Sequence, residues 1–419
     1  MTHRTNTYAR TDVVVTGMGT VTPLGADTPT TWKNMLQGRS GARSLTEPWA
    51  QDLPVRICAP AAPSTCPDLP PAQARRMDRA TQLALTALAE AWTDAGLDDE
   101  PALDRERLAV CVSSIIGVQT MLSAHDTLRH KGWRHMSPFA VPALLPNSTA
   151  AQIAIRYGAQ ASAHAPVSAC ASSTEAISLA ADMIRLGRAD IVIAGGTEAP
   201  IHPFVIGGFA AMRALSRRNS EPERASRPFA ADRDGFLLGE GAGILILESA
   251  THARARGARV YARILGAGMS VDGYRIAQPE PNGRGAAKAI TRALAEAGLG
   301  PDDIRHVNAH ATSTPAGDLA EARALRHSLG AACDQVAVSA TKSMTGHLQG
   351  GSGAVEAIAA ILALHHRLAP PTINNAPKDP AIDLDIVTGT PRPLPAGPLA
   401  ALSNSFGFGG HNATLVVAV

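Results

Sequence analysis

The chain has 419 residues, of which 45% are hydrophobic and 18% are charged, so it can bury a large core over two or three domain-sized units and is too apolar for disorder. A net charge of +2 and an aromatic content of 4% give no basis for nucleic-acid binding. The five cysteines form no Cys-x-x-Cys pair, which argues against a disulfide framework or a cysteine zinc site and for a reducing compartment.

Targeting signals are missing from the sequence. Residues 1–11 are polar and contain no apolar core of a secretory signal. No apolar run approaches the roughly 20 residues that a membrane helix needs. We therefore expect a cytoplasmic protein that makes no contact with a membrane.

A buried strand over residues 12–19 opens the first half and runs into a glycine turn. A dinucleotide-binding fingerprint would need a third glycine three residues after Gly19, but Thr22 stands there and Pro23 follows, so we reject that interpretation. The next elements predicted along the chain are a helix over residues 78–95, a strand over 107–114 and a strand over 190–194.

The middle of the chain contains a possible nucleophile. Val167–Ala169 is predicted to be a short buried strand that ends at Cys170, and a helix is predicted over residues 176–186. A cysteine at a helix N-terminus can have its thiol pKa lowered from about 8.5 into a range of about 3.5 to 7.5, which would make it a thiolate. A buried cysteine that packs as a hydrophobe is the commoner case, and this stretch alone favours it.

The second half repeats the first. Residues 84–97 are echoed by residues 289–299, and Val167–Ala169 is echoed by Val338–Ala340, which precedes a predicted helix over 353–364. Such a repeat predicts a duplicated α/β fold with two mostly parallel sheets, each covered on both faces. We place the halves at residues 1–257, which contain Cys170 and loop-rich insertions, and at residues 258–419.

Polar side chains follow several predicted strands, at the sheet edge where α/β folds bind ligands. They are Cys170, His310, Lys342 with His347, and the glycine-rich stretch over residues 404–412. A thiolate beside two imidazoles suits covalent acyl transfer, because imidazole N–H groups can stabilise developing negative charge. The glycine-rich stretch can present backbone N–H groups to an oxyanion, and its alternative interpretation is a tight turn.

Lys342 has two interpretations. Ser339-x-x-Lys342 matches the motif of Ser-Lys acyl hydrolases, but there the serine opens a helix, whereas Ser339 ends a predicted strand. The alternative is a buried lysine neutralised by a carboxylate, since a buried unpaired ammonium is very costly. Glu356 and Glu321 are the candidates, each on a predicted helix that follows one of the polar loops.

We predict neither a metal nor a cofactor. His306 and His310 would share one face of a strand, but they would lie about 13 Å apart at about 3.3 Å per residue. That separation is too large for two ligands of a single ion. His327, His365 and His366 are interpreted as surface or core residues.

Several motifs together carry a family resemblance. They are Val14–Gly19 with Thr22–Gly25, the Cys170 loop, Ala194–Glu198, Arg227–Phe229 with Asp232–Phe236, and the three C-terminal polar loops. With these motifs the chain resembles the β-ketoacyl-acyl carrier protein synthases of the elongating type, members of the thiolase superfamily, including ketosynthase subunits of type II polyketide synthases. The resemblance covers nearly the whole chain. It implies the five-layered αβαβα thiolase fold and a dimer.

The resemblance also implies a reaction in two halves. Cys170 would take an acyl chain from an acyl carrier protein, and a malonyl group on a second carrier would then lose CO2 and attack the acyl-cysteine as an enolate. His310 and His347 would hold the malonyl thioester and stabilise the enolate. Lys342 would order the site with Glu356, supported by Glu321.

Further roles follow from the same resemblance. The backbone N–H groups of Cys170 and Phe408 would form the oxyanion hole, in a loop that continues through Gly409 and Gly410. Phe408 and Phe209 would act as gate residues, and Phe209 would also line the acyl pocket. The remaining implied contacts are the acyl-pocket residue Ile116, near the dimer interface, and the carrier-binding residues Arg75, Arg76 and Arg213.

Four residues depart from the family pattern, and all lie beside the reacting groups. They are Ser173 and Ala311, where glycine is common, His411 in place of threonine, and the polar Gln349 in place of an apolar residue. We expect them to change substrate range rather than activity. The sequence therefore favours a ketosynthase of a type II polyketide or polyene pathway, with a housekeeping fatty-acid elongation synthase as the alternative.

Two other classes are disfavoured. A non-catalytic partner subunit of the chain-length-factor kind would lack the cysteine, whereas Cys170, His310 and His347 are all present. A degradative thiolase typically has a second cysteine near the C-terminus, and no cysteine follows Cys333. The expected partners are acyl- and malonyl-loaded carrier proteins and either a second copy of the chain or a chain-length-factor-like subunit.

Overall fold

The computed structural model describes residues 11–67, 69–98, 100 and 103–419, so the N-terminal stretch judged for a secretory signal lies almost wholly outside it. The strands are β1 Val13–Val21, β2 Arg43–Ser44, β3 Ile57–Cys58, β4 Leu108–Ser113, β5 Ser162–His164, β6 Ile191–Glu198, β7 Gly241–Ser249, β8 Ala262–Val271, β9 Ile304–Asn308, β10 Ala337–Ser339, β11 Leu368–Ala369, β12 Arg392–Pro393, β13 Ala400–Gly407 and β14 His411–Ala418. The helices are α1 Thr28–Leu36, α2 Pro71–Ala74, α3 Arg79–Asp94, α4 Val118–Lys131, α5 Ala140–Leu144, α6 Ser148–Tyr157, α7 Ser172–Arg185, α8 Pro203–Ala211, α9 Ala250–Ala255, α10 Arg284–Ala297, α11 Pro315–Leu329, α12 Lys342–Thr345 and α13 Ser352–His366.

Ten of these strands form two five-stranded arrays of identical topology. The orders are β5-β4-β6-β7-β1 in the first half and β10-β9-β13-β14-β8 in the second. In each array two pairings are parallel and two are antiparallel, because the fourth strand alone runs against the other four. The arrays join where β1 pairs antiparallel with β8, through Val14 with Arg263 and Val15 with Ala262. The predicted duplicated α/β fold is therefore confirmed.

Three apolar cores separate the layers, because alternate residues of a strand point to opposite faces. On β7, Leu245 and Leu247 pack with α7 and α13 in the central core, whereas Ile244 and Ile246 face α3 on the outside. On β14, Leu415 and Val417 belong to the same central core, and Val416 faces the outer core formed with α10 and α11. The resulting order is helix, sheet, helix, sheet, helix.

Equivalent glycines bring an outer helix close to each sheet. A Cβ on Gly19 of β1 would lie 1.9 Å from the backbone oxygen of Ala87 in α3. A Cβ on Gly268 of β8 would lie 2.0 Å from the backbone oxygen of Ala289 in α10. The Gly-x-Gly segment at β1 is thus a packing device between strand and helix, which explains why it lacks the remainder of a dinucleotide fingerprint.

The chain before Cys170 departs from the prediction. The strand there is β5, which ends at His164, so Val167–Ala169 is not a strand, and Val167 is 54% exposed. Pro166 interrupts the stretch, and Ala169 has a positive φ of 51°, which a strand cannot accommodate. The following helix also begins earlier than predicted, at Ser172.

Among the described residues, no helix is long and apolar enough to cross a membrane.

Candidate active site

Cys170 lies in a single helical turn, Ala169–Ala171, that leads directly into α7. The Ser172 hydroxyl braces this turn, accepting from the Ser168 N–H at 2.8 Å and donating to the Ala169 carbonyl at 2.6 Å. Gly407 at the end of β13 packs against the turn so closely that a Cβ there would lie 2.9 Å from the Cys170 nitrogen. The nucleophile turn from the first half is thus held by a strand from the second.

His347 contacts the thiol. Its Nε2 lies 3.0 Å from the Cys170 Sγ, and its Nδ1 lies 2.8 Å from the Ser352 hydroxyl. The Gln349 backbone N–H donates to the same Nδ1 at 3.3 Å, so Nδ1 is an acceptor and the proton of a neutral ring is on Nε2. Burial, reinforced by the Lys342 charge, holds the pKa of His347 well below its usual value. His347 therefore presents a neutral N–H donor to the sulfur.

His310 has the same character. The Lys342 ammonium lies 3.3 Å from its Nδ1, and an ammonium can only donate, so the proton of the neutral ring is again on Nε2. Burial, together with Lys342 and His347, holds the pKa of His310 well below its usual value. The two rings meet edge to face with centroids 5.5 Å apart. Two imidazole N–H donors thus converge beside one thiol.

Lys342 is 1% exposed and forms an ion pair with Glu356 of α13. Burial raises the pKa of Glu356 to about 7, and the adjacent ammonium opposes that effect. The geometry favours the predicted partner Glu356 over Glu321 for neutralising the lysine. Removing one partner of such a buried ion pair strongly destabilises the folded protein, since the remaining charge is left uncompensated.

Glu321 of α11 holds the loop that carries His310. Its carboxylate accepts from the backbone N–H groups of His310 at 2.8 Å and Ala311 at 2.7 Å. It also accepts from the Asn404 side-chain amide at 3.1 Å. Burial raises the pKa of Glu321, against the lowering effect of these hydrogen bonds. Glu321 therefore positions His310 and makes no contact with Cys170.

The environment of Cys170 contradicts the prediction that this residue is a thiolate. Burial raises the pKa of this thiol to about 11, against the lowering effects of Lys342 and of the backbone N–H groups of Phe408 and Cys170. Desolvation outweighs the helix N-terminus because the sulfur is enclosed. The resting group is consequently a thiol that already has two backbone N–H donors within reach.

The glycine-rich loop contributes one of those donors. Phe408 begins a short turn, Phe408–Gly410, in which Gly409 has a φ of 80° and Gly410 a φ of 75°. The Gly409 N–H donates to the Ile276 carbonyl at 2.7 Å. The Gly409 N–H is therefore not free for an oxyanion, whereas the Phe408 N–H is directed at the Cys170 sulfur.

A cavity of about 470 Å³ opens onto Cys170. Phe236 and Phe408 line this cavity, whereas Phe209 does not. Phe209 packs against both, with its ring centroid 5.2 Å from that of Phe236 and 6.3 Å from that of Phe408. Ile116 does not line this cavity, although it packs in the same apolar cluster as Phe209. Its backbone N–H donates to the buried Glu198 carboxylate at 3.1 Å.

The three arginines predicted to meet a carrier protein do not lie together. Arg213, which has a positive φ of 56°, borders the cavity that contains Cys170. Arg75 and Arg76 border a separate depression, where the Arg76 guanidinium lies 4.9 Å from the centre of the Phe139 ring. In this single chain, only Arg213 adjoins the reacting groups.

The donor atoms of Cys170, His310 and His347 all lie within 4.8 Å of one another. A metal ion could in principle use such a set, since imidazole and thiolate are zinc ligands. The Lys342 ammonium beside His310 would repel such a cation, and His347 already directs its proton at the sulfur. That the site works without a metal stays a prediction.

Several residues that complete the site were not assigned from the sequence. Ser352 hydrogen-bonds the His347 ring, and Asn404 binds Glu321. Phe236 and Phe406 pack edge to face on the rings of His347 and His310 at 5.5 and 5.9 Å. Serine at the start of a helix is the one local signal among them. The aromatic packing depends on contacts between distant segments.

Known proteins resemble this chain over nearly its whole length. The model of the beta-ketoacyl synthase N-terminal domain matches residues 10–253, and that of the beta-ketoacyl synthase C-terminal domain matches residues 261–376. The chain is 45% identical over 407 residues to 3-oxoacyl-(acyl-carrier-protein) synthase 2 of Staphylococcus aureus (strain COL), covering 96% of this chain and 97% of that protein.

Two solved structures are also similar. One is a type II polyketide acyl-carrier protein in complex with its ketosynthase bound to the hexaketide, with a TM-score of 0.87, 32% identity and coverage of 97% and 99% of the two chains. The other is the ishigamide ketosynthase/chain length factor, with a TM-score of 0.87, 31% identity and coverage of 98% and 100%.

These matches define a condensing enzyme of the acyltransferase type with a thiolase-like fold. The chain belongs to the beta-ketoacyl synthase family, since the two family models span well over half of it. The family predicted from the motifs and the predicted acyltransferase activity are both confirmed.

Proposed function

We propose that Cys170 accepts an acyl chain from a carrier protein and that His310 and His347 then direct decarboxylative condensation with a malonyl carrier. In the first half-reaction the sulfur attacks the thioester carbonyl, a new C–S bond forms, and the carrier leaves as its thiol. In the second, the malonyl C–C bond breaks to release CO2, and the enolate carbon attacks the acyl-cysteine. The C–S bond to Cys170 breaks and the sulfur regains a proton.

One observation carries this proposal: two neutral imidazoles place N–H donors next to the buried thiol. An enolate gains negative charge on its oxygen in the transition state, and preorganised donors in a dry site stabilise that charge strongly. Lys342 supports the same outcome by keeping the Nδ1 of His310 an acceptor. The N–H groups of Cys170 and Phe408 are proposed to hold the oxyanion formed at the acyl thioester.

Arg213 at the cavity mouth is the basic residue best placed to meet an acidic carrier protein. Arg75 and Arg76 are proposed to reach a carrier only if a second subunit brings their surface near a cavity mouth. The proposed partners are thus acyl- and malonyl-loaded carrier proteins and a second subunit, either another copy or a chain-length-factor-like protein.

We further propose a specialised type II polyketide or polyene pathway as the setting. This is supported by the similarity to two ketosynthases of such systems and by the polar Gln349 beside the reacting cysteine. The second candidate is fatty-acid elongation, which the higher identity of 45% to 3-oxoacyl-(acyl-carrier-protein) synthase 2 favours. Both candidates use the same chemistry and differ in the acyl chain accepted.

Separate assays of the two half-reactions test the roles of the residues. Cys170→Ala should form no acyl-enzyme adduct by intact mass, because the nucleophile is gone. His310→Ala should still form the adduct but lose condensation by about 100-fold or more, since one enolate donor is missing. Cys66→Ala, away from the site, should retain both half-reactions. An adduct on Cys170→Ala, or equal loss of both half-reactions in His310→Ala, would contradict the assignment.

A further inference from the structure

Gln349 is a polar residue enclosed in an apolar part of the site. It is 2% exposed and borders the cavity that contains Cys170. It follows His347, which contacts the thiol, by only two residues. Gln349 and Cys170 therefore line the same cavity, and Gln349 lies on the loop that carries His347.

The side-chain amide of Gln349 has no partner. Its Nε2 is buried and makes no hydrogen bond to any residue that the structure describes. Buried amide groups are almost always hydrogen-bonded, because leaving one unpaired loses its hydration without replacement. Because the residue borders the cavity, a bound ligand can supply the acceptor that the protein does not.

The backbone gives an independent indication. Gln349 has a φ of 50°, in the left-handed region that favours glycine. Residues with a side chain persist there mainly where the surrounding structure requires them, and such positions concentrate at ligand sites. Gly350 follows immediately, and a Cβ at that position would lie 2.8 Å from the Glu198 carboxylate, so the neighbouring position is also closely packed.

We infer that Gln349 selects acyl chains that carry a carbonyl or hydroxyl oxygen close to the thioester, by donating its Nε2–H to that oxygen. This inference rests on the proposed acylation of Cys170 and adds a substrate class to it. A fully saturated chain would leave the donor unpaired and bury it further. A chain with an oxygen at the third carbon would satisfy it.

The test compares 3-oxoacyl and saturated acyl thioesters of equal chain length as donors to Cys170, followed by intact mass. For the unchanged protein we expect kcat/KM for acylation to favour the 3-oxoacyl donor. Gln349→Met keeps the side-chain length without the amide. It should lower the preference for the 3-oxoacyl thioester about 10- to 100-fold, mainly because acylation by that thioester becomes slower. Gln349→Leu should behave alike.

Two features keep the variants interpretable. The contact from residue 349 to His347 is made by its backbone N–H, so it survives a change of side chain. Gln278→Met is the matched control, since Gln278 also borders the cavity but is exposed and bonded to Arg275 at 2.9 Å. It should leave the preference unchanged.

Three outcomes would overturn the inference: a preference for saturated donors in the unchanged protein, equal losses for both donors in Gln349→Met, or the same change in Gln278→Met. Equal losses would mean that the amide binds the pantetheine arm of the carrier or only packs against the cavity wall. If no thioester of either kind acylates Cys170, the proposed function fails instead, so the two failures are distinguishable. Thermal unfolding of each variant identifies those that fail to fold.

Discussion

At the scale of single residues, the site keeps its permanent charges away from the reacting sulfur. Lys342 and Glu356 form the buried ion pair, whereas Cys170, His310 and His347 are held neutral by burial. A neutral imidazole donates a hydrogen bond without bringing a counter-charge that would trap the enolate. In the proposed reaction the lysine would act through the proton position of His310 rather than by touching substrate.

The raised pKa of Cys170 predicts how the thiol responds to pH. Below a pKa of about 11 the thiolate fraction grows about tenfold per pH unit, so the rate of alkylation by iodoacetamide should rise without a plateau between about pH 7 and pH 10. Lys342→Met should slow alkylation at every pH, because Lys342 lowers this pKa. The measurement is modification of Cys170 followed by mass.

A short cysteine peptide with both termini blocked serves as the reference, since its rate should level off above a pKa of about 8.5. If Cys170 levels off near neutral pH, the helix N-terminus dominates over burial and the thiolate expectation from the sequence is restored.

At the scale of elements, the sequence predicted strands β1, β4, β6 and β10 of the two arrays, together with the helices α3 and α13. Apolar runs identify β1 and β4, because a short continuous apolar run that is bounded by turn residues is typical of a buried strand. The stretch before Cys170 failed as a strand because its apolar residues lie in a loop, shaped by Pro166 and by the positive φ of Ala169. Single-chain patterns do not encode such tertiary constraints.

For the site, too, the sequence predicted some features and missed others. Cys170, His310, Lys342 and His347 were identified because reactive residue types stand at predicted strand ends, and the structure brings all four together. The bond from Gly409 to the Ile276 carbonyl could not be foreseen, because it joins segments more than a hundred residues apart. The high pKa of Cys170 also depends on enclosure by the second half.

The paired glycines give a prediction about element packing. Gly19→Ala and Gly268→Ala should each lower the free energy of unfolding by about 1–3 kcal/mol, because the new Cβ would overlap a backbone oxygen of α3 or α10. Similar losses are expected, since the two contacts are equivalent. Denaturant unfolding followed by circular dichroism provides the measurement.

The control is Gly208→Ala in α8, where a Cβ meets nothing within 4 Å. Removing a glycine from a helix should stabilise it by up to about 1 kcal/mol. Normal stability in Gly19→Ala would mean that α3 can move away from the sheet at no cost.

At the scale of the whole molecule, several large apolar side chains are exposed. They include Trp133, Val141 and Ile155, which is 77% exposed. Ile155 lies on α6, which contacts β5, the strand at the edge of the ten-stranded sheet. Large exposed apolar patches and free sheet edges both mark sites of association, which supports the predicted second subunit.

Native mass measurement tests that assembly. The chain alone should give twice the 43.4 kDa mass of one chain, or should form a mixed pair when co-expressed with a chain-length-factor-like protein. Trp133→Glu should shift the assembly towards single chains, because a charge would be buried at the contact. Val260→Glu, at an exposed position between α9 and β8, should not. Single chains under every condition would exclude the predicted partner.

The antiparallel contact of β1 with β8 has a consequence for dilution. Equivalent strands of the two copies meet as they would across the two-fold axis of a dimer of separate chains. The active groups come from both copies, so separate chains would lose the site whenever their concentration fell below their dissociation constant. In this chain the segment from Ser249 to Ala262 links the two copies covalently, so their effective concentration is fixed and does not fall on dilution. The site therefore persists in a single molecule.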